Sequence, residues 1–177
     1  TTMARLADAG KITIGTKFDQ PGFGFKGLSE APEGFDVEIA KIIAAKLGIS
    51  PDDITWTETV SAVREEFIAT GKVDMIVATY TINDKRKQRI TFAGPYYIAH
   101  QDIMVKKGDT SIKSVTDLNG KKVCSVQGST SLKNLKDKAP TADTSITFGK
   151  YTECAAALDD GRVQAVTTDN VILAGLV

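Results

Sequence analysis

Two series of alternating strand and helix patterns constrain the fold of this sequence more than any other feature. The first series predicts strands at residues 11–15, 54–57 and from Val73 onward, with helices at 35–47 and 60–70. The second series predicts strands at 122–126, 146–148 and 163–167, with helices at 130–138, 151–158 and from Asn170 onward. Such alternation is typical of parallel sheets with right-handed crossovers. We therefore expect an α/β fold of two doubly wound lobes, residues 1–97 and 98–177, joined by an extended crossover.

Composition and charge argue against several classes of function. The 177 residues include 22 basic and 22 acidic side chains, a balance that argues against nucleic acid or an anionic membrane as the main partner. No apolar run approaches the roughly 20 residues of a membrane span. The single histidine, His100, has no evident partner in the sequence, which argues against a histidine-based metal site or catalytic triad. We expect neither a cofactor nor a metal ion.

A glycine motif in the first series invites a nucleotide-binding interpretation. Residues 22–27 (GFGFKG) match G-x-G-x-x-G, whose glycines must lead directly from a strand into the N-terminus of a helix. Here the strand ends near Gly15, and residues 28–34 form a loop before the next helix. We therefore do not expect this motif to bind a nucleotide.

The segment from Asp74 to Arg86 contains a candidate carboxylate-binding corner. A buried strand ends at three hydroxyl side chains, residues 79–81, and Asn83 is suited to cap a short polar helix. Arg86 lies on that helix, and a guanidinium fork matches a carboxylate bidentately. The alternative is a strand, a turn and a solvated run of charges.

Two further cations fall near strand ends and helix starts of the first series. Lys17 follows the first strand at its carboxyl end, where open α/β sheets bind their ligands. The alternative is an exposed lysine. Arg64 lies in the first turns of the helix at 60–70. Its alternative is an ion pair with Glu65 or Glu66, although adjacent positions on a helix do not face each other.

The second series contains a candidate anion site and a carboxylate. Gly128, Ser129 and Thr130 join a strand to a helix, where either hydroxyl can cap the helix and leave N–H groups for an anion. Asp169 ends the strand that begins at residue 163, and each of these features also has an explanation as an ordinary helix cap. Together with the cations of the first series, they form a set complementary to a zwitterionic amino acid.

The sequence resembles the amino-acid-binding proteins that serve ABC importers, which have the type II periplasmic-binding-protein fold. The resemblance is carried by collinear segments at 11–23 (KITIGTKFDQPGF), 34–48 (GFDVEIAKIIAAKLG), 71–97 (GKVDMIVATYTINDKRKQRITFAGPYY), 118–131 (LNGKKVCSVQGSTS) and 157–169 (ALDDGRVQAVTTD). The sequence is most similar to the glutamate-binding components of Gram-positive importers. Members of the family continue for several tens of residues beyond the position of Val177, so we expect that the C-terminal part is missing.

The resemblance implies roles for residues of both lobes around an amino acid held between them. It implies that Arg86 binds the α-carboxylate with help from Thr81, Ser129 and Thr130. It also implies that Asp169 binds the α-ammonium, with Thr79 and the Ala78 carbonyl nearby. In relatives selective for acidic amino acids, cations fall at Lys17 and Arg64, and a polar aromatic or imidazole group falls near Tyr151. Two cations facing the ligand side chain favour glutamate or aspartate over glutamine or a basic amino acid.

The expected function is binding of an acidic amino acid, most strongly L-glutamate, and its delivery to an ABC-type permease. The resemblance implies an extracellular monomer whose full-length precursor is lipid-anchored at the cell surface. The alternatives are a binding protein for glutamine or aspartate, a dehydratase acting on a carboxylated substrate, and a sensory domain of a receptor or kinase. The dehydratase would need a general acid or base, and none stands out in the sequence.

Cys124 and Cys154 lie in the same lobe, one on a predicted strand and one in the first turn of a predicted helix. An extracellular location permits a disulfide between them. The alternative is two buried free thiols, and we favour the disulfide.

Overall fold

The computed structural model describes residues 2–177 and separates into two units, the first ending at Gly94 and the second beginning at Pro95. The helices are α1 (Thr2–Ala9), α2 (Phe35–Lys46), α3 (Arg64–Ala69), α4 (Asp84–Lys87), α5 (Thr130–Lys138), α6 (Tyr151–Asp159) and α7 (Asn170–Ala174). The strands are β1 (Ile12–Thr16), β2 (Asp19–Gln20), β3 (Gly24–Phe25), β4 (Ile54–Glu58), β5 (Met75–Ile76), β6 (Gln101–Met104), β7 (Val123–Cys124) and β8 (Ala165–Asp169). Short 3-10 helices cover Pro51–Asp53, Ser61–Val63 and Val115–Leu118.

The first unit is built on a parallel sheet in the order β4-β1-β5. Ile14 is the fully buried centre of this sheet, because β1 pairs with a strand on each side. Helix α2 buries Val37, Ala40 and Ala44, which recur at helical spacing and so face inward together. Since all three strands run parallel, their carboxyl ends lie at one edge of the sheet, followed by Lys17, Thr59 and Val77.

The glycine motif at 22–27 belongs to an antiparallel hairpin of β2 and β3, which the sequence did not predict. Gly22 adopts φ 83° in the turn, a conformation that disfavours other residues. Gly24 lies so close to the backbone that an added Cβ would be 2.6 Å from the Lys17 carbonyl oxygen. These glycines therefore allow tight packing of the hairpin beside Lys17.

The second unit contains a mixed sheet in the order β6-β8-β7, with β6 antiparallel and β7 parallel to β8. The predicted strand at 146–148 is wrong: only Phe148 of this segment pairs, in a single parallel bridge with Val126, and Asp143 before it makes another single bridge with Lys122. The backbone N–H of Ser145 instead donates to the Asp143 side chain at 2.9 Å. This local hydrogen bond competes with strand pairing between the two bridges.

The core of the second unit surrounds a disulfide between Cys124 on β7 and Cys154 on α6, which confirms the expected pairing. Both cysteines are fully buried, and their Cα atoms are 5.6 Å apart. The bond ties the central sheet to the helix that covers it. Across residues 2–177, no helix combines the length and the apolar character that a membrane span requires.

Reduction of the disulfide should destabilise the second unit. The two cysteines are 30 residues apart, and closing a loop of this length contributes roughly 3–4 kcal/mol in the chain-entropy estimate. Urea unfolding followed by circular dichroism, with and without reductant, measures this difference. A Cys124→Ala/Cys154→Ala protein serves as the control, because reductant should not change its unfolding midpoint. Two reactive thiols in denatured, unreduced protein would contradict the pairing.

Candidate functional site

Lys17 lies buried at the carboxyl end of β1, with only 1% of its surface exposed. Its Nζ donates a hydrogen bond to the Ser61 hydroxyl at 2.9 Å. Burial is the main reason that the pKa of Lys17 falls from 10.5 to about 7; the charge of Arg64 lowers it further, whereas Asp19 and Glu58 oppose the fall. An ammonium group in this position is poorly solvated and would be stabilised by an added negative charge.

Arg64 begins α3 and is equally enclosed, with 2% of its surface exposed. Its Nη1 donates to the Ala78 carbonyl at 2.8 Å, and its Nε donates to the Ser61 carbonyl at 3.4 Å. Ser61 therefore contacts both cations, Lys17 through its hydroxyl and Arg64 through its carbonyl. The single 3-10 turn at Ser61–Val63 brings these two predicted site residues together.

Arg86 lies on α4 and is 6% exposed. Its own N–H is capped by the Asn83 side chain at 2.9 Å, as the sequence predicted for this helix. The guanidinium donates from Nη1 to the Thr81 carbonyl at 2.8 Å and from Nε to Glu65 Oε1 at 3.0 Å. Glu65 therefore pairs with Arg86, not with its chain neighbour Arg64.

Tyr80 organises the two guanidinium groups. The Cζ atoms of Arg64 and Arg86 lie 4.1 Å and 4.8 Å from the centroid of its ring. Phe92 holds the ring in an edge-to-face contact with the centroids 5.1 Å apart. A cation over an aromatic face gains about 0.5–2 kcal/mol, depending on its desolvation. The ring thus offsets part of the repulsion between two buried like charges.

The corner that carries these contacts is strained at Thr79, whose φ of 44° is uncommon for a β-branched residue. Two buried side chains hold it in place. The Thr79 N–H donates to Asp36 Oδ2 at 2.6 Å, and its hydroxyl donates to Gln20 Oε1 at 2.8 Å. The strained residue separates the Ala78 carbonyl, which accepts from Arg64, from the Thr81 carbonyl, which accepts from Arg86.

In the second unit, Ser129 and Thr130 lie at the start of α5. The Ser129 hydroxyl accepts from the Leu132 N–H at 3.0 Å, so this residue is the helix cap. Tyr151 begins α6 and is 2% exposed, and its hydroxyl lies 3.5 Å from the Ser125 hydroxyl. Both are therefore tied to the β7–α5 connection.

Asp169 lies at the end of β8, opposite Gln101 of β6. Its carboxylate makes no capping hydrogen bond to α7, so the alternative of a simple helix cap does not describe it. Within the described part of the chain, no group of three or more His, Cys, Asp or Glu side chains is arranged to hold a metal ion.

The structure brings five predicted residues of the first unit into one cluster and adds several that the sequence did not indicate. The predicted members are Lys17, Arg64, Ala78, Thr81 and Arg86, and the added members are Ser61, Glu65 and Tyr80. Tyr80 lies inside the segment that the sequence identified as a carboxylate-binding corner. Its stacking with two arginines was not predicted, because such a contact leaves no periodic pattern in the sequence. The sequence suggested Glu65 only as an ion-pair partner for Arg64. Its contact with Arg86 was not predicted, because it joins two helices that are far apart in the sequence.

Solved structures share this arrangement of elements. An ancestral arginine-binding protein bound to arginine matches with a TM-score of 0.87 and 38% identity, over 93% of this chain and 72% of that chain. A cysteine-binding protein from Campylobacter jejuni matches with a TM-score of 0.91 and 29% identity, over 97% of this chain and 68% of that chain. The chain therefore has the type II periplasmic-binding-protein fold.

The sequence comparison defines the family within that fold. The chain belongs to the bacterial extracellular solute-binding proteins, family 3, whose sequence profile matches residues 12–172. The glutamate-binding protein GluB of Corynebacterium efficiens is 40% identical over 94% of this chain. The glutamine-binding protein GlnH of Bacillus subtilis is 42% identical over 99% of this chain. The chain spans 58% and 64% of the lengths of these two relatives.

Replacing Asp36 with alanine should lower the free energy of unfolding by about 1–3 kcal/mol, because the Thr79 N–H would lose its buried acceptor. Asp36 is 1% exposed, so water cannot readily replace the carboxylate. Glu38→Ala is the matched control, since Glu38 lies on the exposed side of the same helix. Urea unfolding measures both variants. Equal effects of the two substitutions would show that Asp36 does not hold the strained corner.

Proposed function

We propose that this protein binds an acidic amino acid, most strongly L-glutamate, and delivers it to the permease of an ABC importer. The observation that carries the proposal is the cluster of three buried cations in the first unit, Lys17, Arg64 and Arg86. One guanidinium is enough for an α-carboxylate, which leaves two cations for the ligand side chain. A neutral or basic side chain beside them would bring no negative charge to this buried, cation-rich cluster.

We propose the roles that the family resemblance implies for residues of the two units. Arg86, with Thr81 on the same corner, binds the α-carboxylate, and Ser129 and Thr130 at the start of α5 offer further donors. Asp169 binds the α-ammonium, helped by Thr79 and the Ala78 carbonyl. Lys17 and Arg64, linked through Ser61, bind the side-chain carboxylate. Tyr151 supports the Ser125–Ser129 connection and adds a polar aromatic group near it.

Family membership leaves the ligand open, and the three buried cations support the choice of an acidic amino acid. The relatives named above are a glutamate-binding and a glutamine-binding protein, and a structural neighbour is an arginine-binding protein. Arginine would add a fourth cation to the cluster. Glutamine would offer Lys17 a neutral amide, whereas glutamate offers a carboxylate that forms an ion pair with the ammonium.

The proposed cellular setting follows from the family and its relatives. The family consists of bacterial extracellular proteins. We propose that the full-length protein is a monomer anchored by a lipid at the outer surface of the cell, where it meets the permease. This setting also permits the disulfide.

A second candidate function is a dehydratase acting on a carboxylated substrate. It is favoured by the pKa of Lys17, about 7, which would suit a general acid or base. A structural neighbour, an ancestral amino-acid-binding protein, is a precursor of cyclohexadienyl dehydratase, with a TM-score of 0.90 and 32% identity over 98% of this chain and 76% of that chain. Incubation with prephenate or arogenate and detection of the aromatic product tests it directly.

Calorimetry with L-glutamate, L-aspartate, L-glutamine and L-arginine tests the proposed function. We expect binding of the two acidic amino acids, weaker binding of glutamine and none of arginine. Tight binding of glutamine or arginine with no response to glutamate would refute the acidic-ligand proposal.

Replacing Lys17 with methionine should lower the affinity for glutamate at least about tenfold and change the affinity for glutamine much less, because only glutamate loses a charged contact. Methionine nearly preserves the side-chain volume, so packing is disturbed little. Lys46→Met, on the exposed surface of α2, is the charge-matched control. Calorimetry of the three proteins with both ligands gives the comparison. A parallel loss for both amino acids would reject the selectivity role.

Glutamate affinity should fall by up to about tenfold per pH unit between pH 7 and 8.5, because binding must then protonate Lys17. Below pH 7 the ammonium is present with and without ligand, so the dependence should vanish. The charged groups that face Lys17 are Arg64, Arg86, Asp19 and Glu58. Glutamine, which brings no side-chain charge, should show a weaker dependence. Calorimetry in buffers of different ionisation enthalpy measures the proton uptake directly.

The lowered pKa of Lys17 also determines how the free energy of unfolding of the ligand-free protein changes with pH. Between pH 7 and about 10 the unfolded chain keeps Lys17 protonated while the folded chain releases the proton. The free energy of unfolding should therefore gain a positive contribution as pH rises through this window. Lys17→Met should lack that contribution.

A further inference from the structure

We propose that Glu65 is an internal competitor for Arg86, and that the α-carboxylate of the ligand displaces it from the guanidinium. This inference rests on the proposed role of Arg86 in binding the α-carboxylate. It adds a residue that limits affinity for every α-amino acid and leaves the selectivity between side chains to Lys17 and Arg64.

The contact between Glu65 and Arg86 joins two separate helices. Glu65 Oε1 accepts from Arg86 Nε at 3.0 Å, with 17% of the Glu65 side chain and 6% of the Arg86 side chain exposed. Arg86 is held in place independently, because Asn83 caps its backbone and the Thr81 carbonyl accepts from Nη1. The guanidinium therefore does not depend on Glu65 for its position.

The charge of Glu65 is maintained by its surroundings. Burial raises the pKa of Glu65, but its own backbone hydrogen bond and the charge of Arg86, together with contributions from Tyr80 and Arg64, outweigh burial and hold that pKa below the ordinary value of 4.5. Glu65 is therefore an anion at neutral pH. It compensates a buried guanidinium that would otherwise be costly to enclose.

A ligand carboxylate that binds the Arg86 guanidinium side-on meets an edge that Glu65 already occupies. Side-on bidentate binding pairs the Nε–H with an Nη2–H, and Nε already donates to Glu65, while Nη1 donates to Thr81. A second carboxylate on the same guanidinium would also repel the first at short range. Glu65 has the more exposed side chain of the pair, 17% against 6% for Arg86. When the ligand carboxylate replaces Glu65 on Arg86, the guanidinium edge becomes available and the two carboxylates no longer repel each other at short range.

Glu65→Gln tests the proposal, because glutamine keeps an oxygen acceptor for Arg86 Nε and removes the charge. Affinity for both L-glutamate and L-glutamine should rise at least about tenfold, since a neutral amide competes less well than a carboxylate. L-isoglutamine, in which the α-carboxylate is an amide, should gain less than about threefold. Glu66→Gln, exposed on the same helix, should change each affinity less than about twofold.

The outcomes separate failure of this inference from failure of the proposed function. Unchanged or weaker binding of glutamate by Glu65→Gln, with normal binding by the wild type, would show that Glu65 only positions Arg86 and would overturn the inference. Absence of amino-acid binding by the wild type would overturn the proposed function itself, and the inference with it.

A measurement on the wild type does not depend on how the variant folds. Nitrogen-15 NMR of the Arg86 Nε–H should show a resonance that shifts when glutamate saturates the protein and stays in place with isoglutamine. An unchanged resonance at saturating glutamate would mean that Glu65 remains on Nε, which refutes displacement.

Discussion

The first unit depends on how three positive charges are buried near one another. Lys17, Arg64 and Arg86 are each at least nine-tenths buried, and like charges in such a place repel strongly. Two backbone carbonyls, the carbonyl and hydroxyl of Ser61, the ring of Tyr80 and the carboxylate of Glu65 offset this repulsion. Each partner is fixed by its own element, so the cluster is built into the fold before any ligand arrives.

The parallel sheet explains why these groups meet. Lys17 follows β1, and the corner from Ala78 to Thr81 follows β5, so both come from the same edge of the sheet. The corner turns sharply only because Asp36 and Gln20 hold Thr79 in a left-handed conformation. That turn directs one carbonyl to Arg64 and another to Arg86. Backbone strain of about 1–3 kcal/mol at one residue thereby positions two cations.

Sequence reasoning recovered the features that depend on local pattern and on strand order. The cap at Asn83, the corner at Arg86 and the pairing of Cys124 with Cys154 all follow from short segments or from the order of elements. The family resemblance supplied the roles of the remaining predicted residues. The strand expected at 146–148 is reduced to a single bridge at Phe148, and just before it the Ser145 N–H donates to the Asp143 side chain instead of to a neighbouring strand.

The partners that sequence reasoning missed are those whose contact joins distant elements. Tyr80 and Glu65 have neighbours in the chain that suggest other roles, a strand end and an ion pair with Arg64. Their actual contacts require α3, α4 and β5 to be assembled first. The hairpin of β2 and β3 was not predicted for the same reason. Its glycines do more than form the turn, because they also allow the hairpin to pack against the Lys17 backbone.

Charge balance links the two unusual groups of the cluster. Asp19, Glu58 and Glu65 offset the three cations when Lys17 is protonated. The pKa of about 7 for Lys17 shows that burial and the two arginines outweigh the support from Asp19 and Glu58. If an acidic ligand displaces Glu65, one carboxylate leaves and two arrive, so the cluster gains one negative charge. Protonation of Lys17 supplies the matching positive charge. A neutral-side-chain ligand exchanges one carboxylate for one and needs no proton. Lys17, whose pKa is about 7, and Glu65, which the ligand displaces, thus act together. Both favour a ligand with two carboxylates.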